Sequence, residues 1–274
     1  MIDHYSVIGN PIAHSRSPEI HAAFALQTGQ QLVYERCLAP LGGFAATVRA
    51  LVAAGHKGAN VTVPFKLDAA ALALSLSERA RAAGAVNTMS FVGDAIVGDN
   101  TDGAGLVNDI VRNARVQIAG KRVLLLGAGG AARGVLLPLL GEHPQQIVIA
   151  NRTRATADAL AAHFAGQAEH SQQVRACDFG AVDGPFDIVV NATSASLADA
   201  RLPVPACAFG PGTLALDMMY ARAPTPFMQF AALNGACARD GLGMLVEQAA
   251  EAFWVWRGVR PDTAPVLAQI RKAL

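Results

Sequence analysis

The run Arg122-Val123-Leu124-Leu125-Leu126-Gly127-Ala128-Gly129-Gly130-Ala131-Ala132-Arg133 decides the fold. A short apolar stretch stops at a glycine and an alanine-rich segment follows, so the chain reads as strand, tight turn and helix. In such a G-x-G-x-x-A turn the glycines permit the turn and a close backbone approach to a ligand. A pyrophosphate there meets amide groups at the positive end of a helix. The string is weak by itself; its place between an apolar strand and a helix is what a dinucleotide fingerprint requires. Gly127, Ala128, Gly129, Gly130 and Ala131 are therefore candidate cofactor contacts.

The next strand, Ile147-Val148-Ile149, leads into Ala150-Asn151-Arg152-Thr153-Arg154. NAD-binding sheets keep an acidic residue near this place for the ribose hydroxyl. No acid is present. Asn151 and Thr153 offer hydrogen bonds, and Arg152 and Arg154 can form charge-assisted contacts with a 2′-phosphate, so NADP is expected rather than NAD. Two arginines at a helix N-terminus would otherwise oppose the helix dipole.

Further apolar strands follow at Asp187 to Val190 and Leu214 to Leu216. Their continuous apolarity predicts strands of a parallel sheet covered on both faces. Before the glycine loop, strands are expected at Tyr5 to Gly9, Leu32 to Leu38 and Ala59 to Val63, with a hairpin over Val86 to Val97 turning at Gly93-Asp94. Helices are expected from Ser17, read as an N-cap ahead of Pro18, to about Gln27, and from Gly42 to Ala54. Others start near Phe65, at Glu78 and at Asp102, the last running to Asn113, with an alanine-rich helical stretch over Ala69 to Ala85. After the last strand come helical segments from Met244 to Trp256 and from Arg260 to Leu274, with no sheet of their own to finish. They are expected to pack back on the first half.

At 274 residues the chain exceeds the usual ~150 residues per domain, which makes two domains the natural expectation. A 52% hydrophobic content, 16% charged residues and a net charge of +1 argue against disorder and against electrostatic binding to nucleic acid. No basic segment followed by an apolar run marks the start, so a cytoplasmic location is the default. Val123 to Leu140 is apolar but carries Arg133, Pro138 and several glycines, which excludes it as a membrane span. The cysteines, Cys37, Cys177, Cys207 and Cys237, form no Cys-x-x-Cys pair, and are expected to be reduced and mostly buried. The seven histidines lack metal-site spacing, so metal-free catalysis is expected.

Two polar clusters stand at element ends, where reacting groups tend to be placed. Asn60-Val61-Thr62-Val63-Pro64-Phe65-Lys66 ends a strand with an amide, a hydroxyl and an ammonium; Gly98-Asp99-Asn100-Thr101-Asp102-Gly103 supplies a carboxylate at a helix start. Taken singly, Lys66 could be a solvated first-turn lysine and Asp102 a helix cap. Beside a nucleotide loop, they read as an acid/base pair in a substrate pocket.

With Ser15-Arg16-Ser17-Pro18, Gly84-Ala85-Val86-Asn87-Thr88 and Gly241-Leu242-Gly243-Met244-Leu245-Val246-Glu247-Gln248, these motifs occur in the order found in shikimate dehydrogenases. The chain resembles that family over nearly its whole length. The resemblance implies reversible NADPH-linked reduction of 3-dehydroshikimate to shikimate, on the route to chorismate and the aromatic amino acids. It implies that Ser15, Ser17 and Tyr220 hold the substrate carboxylate, that Asn60, Thr62, Asn87, Asp102 and Gln248 read ring hydroxyls, and that Lys66 and Asp102 are catalytic. Thr193, Met218 and Gly241 would line the nicotinamide, with Glu78 on the cofactor side. The segment after Tyr220 departs from the family, which usually carries Asn-Pro there.

The implied fold is α/β: a discontinuous substrate domain, 1–103 plus 244–274, and a Rossmann-type doubly wound NADP domain, 104–243, with a cleft between them. The implied partner is a small molecule, shikimate or 3-dehydroshikimate, with no nucleic acid or membrane, on a monomer or homodimer. A dual quinate/shikimate dehydrogenase is disfavoured by Ser17 and by Arg152 with Arg154. A non-catalytic NADP- and shikimate-binding regulator is disfavoured by Lys66 with Asp102. A two-domain enzyme of folate metabolism would not need the Ser15/Ser17 pair.

Overall fold

A computed structural model describes residues 2–165, 173–193 and 202–274. The chain divides into two compact units, one of Met1–Leu106 with Leu245–Leu274, the other of Val107–Met244.

In the first unit, β1 (Asp3–Gly9), β2 (Leu32–Leu38), β3 (Gly58–Val61), β4 (Ser75–Leu76), β5 (Thr88–Val92) and β6 (Ala95–Asp99) form one sheet in the order β2-β1-β3-β5-β6-β4. β1 runs parallel to both β2 and β3; β5 is antiparallel to β3 and to β6. The expected hairpin is present, Val92 pairing with Ala95 across Gly93-Asp94. Helices α1 (Ser17–Thr28), α2 (Phe44–Ala53), α3 (Lys66–Leu72), α4 (Glu78–Ala83) and most of α5 (Asp102–Asn108) belong to this unit. Ile8, Phe44, Val48, Val61, Phe65 and Met89 make its core, each burial contributing about 1.5–3 kcal/mol.

In the second unit, β7 (Arg122–Leu126), β8 (Gln146–Ala150), β9 (Val174–Cys177), β10 (Ile188–Asn191), β11 (Leu214–Asp217) and β12 (Cys237–Arg239) form a wholly parallel sheet. Its order is β12-β11-β10-β7-β8-β9. Counted within the unit this is the 3-2-1-4-5-6 arrangement of the dinucleotide-binding fold, with its reversal between β7 and β10. Helices α6 (Gly130–Gly141), α7 (Arg154–Ala165) and α8 (Pro226–Leu233) complete the unit. The strands are buried along their central residues because helices cover a parallel sheet, which explains the unbroken apolar runs.

Helix α9 (Leu242–Arg257) contains the chain's return to the first unit, and α10 (Thr263–Lys272) follows. Phe253 is fully buried there, Trp256 stacks on Tyr5 at 4.5 Å, and its indole N–H donates to the Met89 carbonyl. Trp254 is exposed, with the Arg260 guanidinium over its ring. No helix among the described residues is long and apolar enough to cross a membrane.

Several local expectations are corrected. Ser17 is not the cap of α1 but its first residue; Arg16 is the cap, and the Ser15 hydroxyl accepts from the Ser17 N–H. The alanine-rich stretch is interrupted by β4, since Leu74 and Ser77 donate backbone bonds to Ile96 and Gly98 on β6. The helix from Asp102 widens into a π-turn over Asp109–Asn113. Only Cys177 is buried among the four free thiols; Cys207 and Cys237 are exposed, Cys237 on edge strand β12.

An ion-pair network ties α9 to the hairpin sheet. The Arg79 guanidinium binds both oxygens of Asp99, at 2.7 and 2.6 Å, and reaches Glu251 at 2.8 Å; Arg260 binds the other Glu251 oxygen at 2.6 Å. Burial alone would raise the Asp99 pKa, but the Arg79 fork and the Ser77 hydroxyl outweigh it and hold the group below its usual 3.8. A depressed carboxyl contributes stability above its unfolded-state pKa and loses it as pH falls through the folded-state value. Arg79→Ala is expected to cost about 3–5 kcal/mol, because it leaves the poorly solvated Asp99 carboxylate without its cation and takes from Glu251 one of its two arginines. Denaturant unfolding at neutral pH measures this. The same titration below pH 4 is expected to show a shallower acid loss for Asp99→Asn than for the wild type.

Candidate active site

Phe65 sets the start of α3. Its buried ring stacks on Phe44 at 5.0 Å, and as the helix cap it leaves Lys66 as the first helical residue. Asp102 is likewise the first residue of α5, its N–H bonded to the Asn100 side-chain oxygen at 3.1 Å, while the Asn100 amide donates to the Ala85 carbonyl. These two helix starts bring Lys66 Nζ to 2.5 Å from Asp102 Oδ2. Asp102 is thus neither a solvated cap nor an exposed charge: its side chain is 9% exposed, against 22% for Lys66.

Asn87, just before β5, organises the surrounding polar groups. Its Nδ2 donates to Asp102 Oδ1 at 2.8 Å, to Thr101 Oγ1 at 3.0 Å and towards Gln248 Oε1 at 3.3 Å. Its Oδ1 accepts from the Thr101 N–H at 2.8 Å and from the Thr88 hydroxyl at 2.9 Å. Asn60 donates to the Asn87 carbonyl at 3.1 Å and to Thr88 Oγ1 at 3.0 Å, and receives the Tyr34 hydroxyl at 2.7 Å. Gln248 arrives on α9 and its own amide donates to Leu245 O. Thr62 is half-buried beside them, its methyl against Gly9.

Ser15 and Ser17 sit at the entry to α1, their hydroxyls 3.2 Å apart. Arg36 on β2 holds that turn, donating to the Ser15 carbonyl through Nε and Nη2 at 3.0 and 2.6 Å while pairing with Glu19 at 2.7 Å. Glu78 is exposed on the first turn of α4. Sequence reading passed over Tyr34, Arg36 and Thr101. Only Thr101 carried a signal, as a member of the quoted Gly98 to Asp102 string.

In the second unit, Gly127 ends β7 with a φ of +103°, a conformation that favours glycine, and its N–H bonds the Ala150 carbonyl. A Cβ added at Gly129 or Gly130 would meet nothing within 4 Å. The amides opening α6, including that of Ala131, are therefore approachable by an anion; Ala128 is buried behind them. Asn151 donates to the Thr153 carbonyl at 2.9 Å, shaping the turn after β8. Arg152, Thr153 and Arg154 are exposed there, and Arg154 pairs with Asp158 at 2.8 Å along α7.

Past β10, the Thr193 hydroxyl and N–H both bond Asn191 Oδ1, at 2.7 and 3.0 Å, while Asn191 donates to the buried Asp217. Met218 and Tyr220 are half-buried beyond β11. A Cβ at Gly241 would lie 2.2 Å from the Met218 carbonyl oxygen, so the backbone itself demands glycine there. Ser194, the next residue after Thr193, lies outside the described residues. Elsewhere, His4, Glu35 and His56 bring one ligating atom each within 4.8 Å of one another, a grouping that spacing along the chain does not disclose.

Known proteins agree with this division of features. Residues 7–89 match the shikimate dehydrogenase substrate-binding domain, 109–199 the shikimate/quinate 5-dehydrogenase domain and 241–271 the shikimate 5′-dehydrogenase C-terminal domain. A shikimate dehydrogenase (NADP(+)) of Janthinobacterium sp. (strain Marseille) is 63% identical over 272 residues, 99% of this chain and 98% of that one. The crystal structure of an Ael1 enzyme from Pseudomonas putida superposes with a TM-score of 0.92 at 48% identity, covering 97% of each chain. A shikimate 5-dehydrogenase of Thermus thermophilus, solved in complex with NADP(H) and shikimate, gives 0.88 at 31% identity over 100% of both chains. Sequence, topology and relatives converge, and the chain belongs to the shikimate dehydrogenase family.

Proposed function

We propose that this protein catalyses the reversible, NADPH-dependent reduction of 3-dehydroshikimate to shikimate, with Lys66 as the group that moves the proton. The observation that carries the reading is the Lys66–Asp102 pair at 2.5 Å, set among the Asn60, Asn87 and Gln248 amides. A polyol acid offers little apolar surface, so recognition depends on such a dense polar set.

Bound NADPH supplies the hydride that adds to the carbonyl carbon. The oxygen then needs one proton, and a single positioned acid/base suffices. Lys66 has three N–H donors and Asp102 takes one of them, leaving others for the substrate oxygen. Asp102 Oδ1 is held by Asn87, which orients the carboxylate so that Oδ2 stays on the lysine. In the direction of oxidation the same pair receives the hydroxyl proton.

By the same reading Ser15 and Ser17 bind the carboxylate, and Asn60, Thr62, Asp102 and Gln248 bind ring hydroxyls; Asn87, whose side chain is taken up by Thr88, Thr101 and Asp102, would bind one by exchanging one of these partners. In the second unit, the amides at Gly129 to Ala131 fit a pyrophosphate because the backbone there is open to approach. Asn151, Arg152, Thr153 and Arg154 would hold the 2′-phosphate, and Thr193, Met218 and Gly241 the nicotinamide.

The test follows nicotinamide absorbance with shikimate or quinate and NADP or NAD. The wild type is expected to turn over fastest with shikimate and NADP; equal rates with quinate and NAD would point to a dual-specificity enzyme. Lys66→Ala is expected to slow turnover by roughly 10²–10⁴-fold, and near-wild-type turnover would remove the lysine from the mechanism. Replacing Arg152 and Arg154 together by alanine is expected to raise the KM for NADP roughly tenfold or more. The KM for NAD should stay unchanged, since NAD has no 2′-phosphate to lose.

A further inference from the structure

We infer that Tyr34, on the core-facing side of β2, is a positioning residue for substrate recognition, its hydroxyl holding the Asn60 amide in an orientation that can only accept a hydrogen bond from a substrate hydroxyl. The inference rests on the function proposed above.

Asn60 has two donors and two acceptor lone pairs. Both donors are used, on the Asn87 carbonyl at 3.1 Å and Thr88 Oγ1 at 3.0 Å. The Asn87 carbonyl accepts only, so it decides which end of the amide is nitrogen. Tyr34 then donates to Oδ1 at 2.7 Å, and one lone pair is left over. A substrate group at that place has to donate, as a ring hydroxyl does and a keto or ether oxygen does not.

The direction of the Tyr34 proton is itself arranged. Asn60 Oδ1 carries no hydrogen, so the phenol has to be the donor in that bond. The tyrosine ring is held face to face on His21, 4.1 Å away and 6° from parallel. Burial keeps His21 neutral, its pKa pushed down to about 3, so no charge competes for the phenol.

Tyr34→Phe keeps the ring and its stacking and removes only the hydroxyl. The expected result is a KM for shikimate raised roughly three- to tenfold, with the KM for NADP, the kcat and the melting temperature close to wild type. Calorimetric titration with shikimate should read the same loss of affinity without turnover. In an Asn60→Ala background, or in Asn60→Asp if the first does not fold, adding Tyr34→Phe should raise the KM no further, since the hydroxyl acts through that amide. A wild-type KM in Tyr34→Phe overturns the assignment. So does an undiminished effect in the Asn60 background, or an equal rise in both KM values with a lowered melting temperature. The wild-type protein separates this from the underlying reading: if it fails to oxidise shikimate, the proposed function falls and the inference with it. If it succeeds and Tyr34→Phe matches it, only Tyr34 loses its role.

Discussion

The polar half of the first unit depends on one buried amide. Every hydrogen-bonding group of Asn87 is occupied: its backbone N–H by Asp99, its carbonyl by Val61 and Asn60, and its side chain by Thr88, Thr101, Asp102 and Gln248. A buried amide left half-satisfied would be costly, and one fully satisfied fixes its neighbours in a single arrangement. Strand β3, the turn before α5 and helix α9 are thereby referred to a common point. The distance between Lys66 and Asp102 is a consequence, because one oxygen of that carboxylate is already committed.

The second unit reaches its order by the opposite means, through backbone rather than side chains. Gly127 supplies a positive φ, Gly129 and Gly130 leave the helix start uncovered, and Gly241 yields its Cβ position to the Met218 carbonyl. Three buried polar side chains, Asn191, Asp217 and Thr225, bond one another and brace the loops beyond β10 and β11. A small acid with several hydroxyls calls for many directional partners, whereas a pyrophosphate is served by bare amides and a helix dipole. The chemistry of each ligand class accounts for why the two units are built so differently.

Much of this was legible in the amino-acid sequence. The glycine loop, the apolar strands β7, β8, β10 and β11, the hairpin of β5 and β6, and the helix starts at Lys66 and Asp102 all announce themselves through periodicity or capping chemistry. What escaped was short or peripheral. β4 has two residues and β12 three, too few for any period to show, and β9 is a four-residue edge strand whose Arg175 interrupts the apolar pattern. Helix α8 did carry a signal, Thr225 capping ahead of Pro226, but no helix was expected there. In the site, residues inside a motif could be named, while Tyr34 and Arg36 could not. They act from a neighbouring strand, and their partners lie far away in sequence.

The first unit is not a continuous piece of chain, and that bears on how it comes into being. Gln248, Glu251 and Trp256 complete its amide network, its Arg79 ion pair and its Tyr5 stack, yet they are encoded after the whole of the second unit. During translation the ribosome therefore releases the first sheet with Arg79 paired on one side only and the Met89 carbonyl still waiting for an indole. The second unit, unbroken in sequence, has all its strands before α9 has been made and is free to fold as domains do during synthesis, each as its own stretch emerges. The polar network around Lys66 closes last, so a nascent chain gains its full set of substrate-side partners only once α9 has left the exit tunnel.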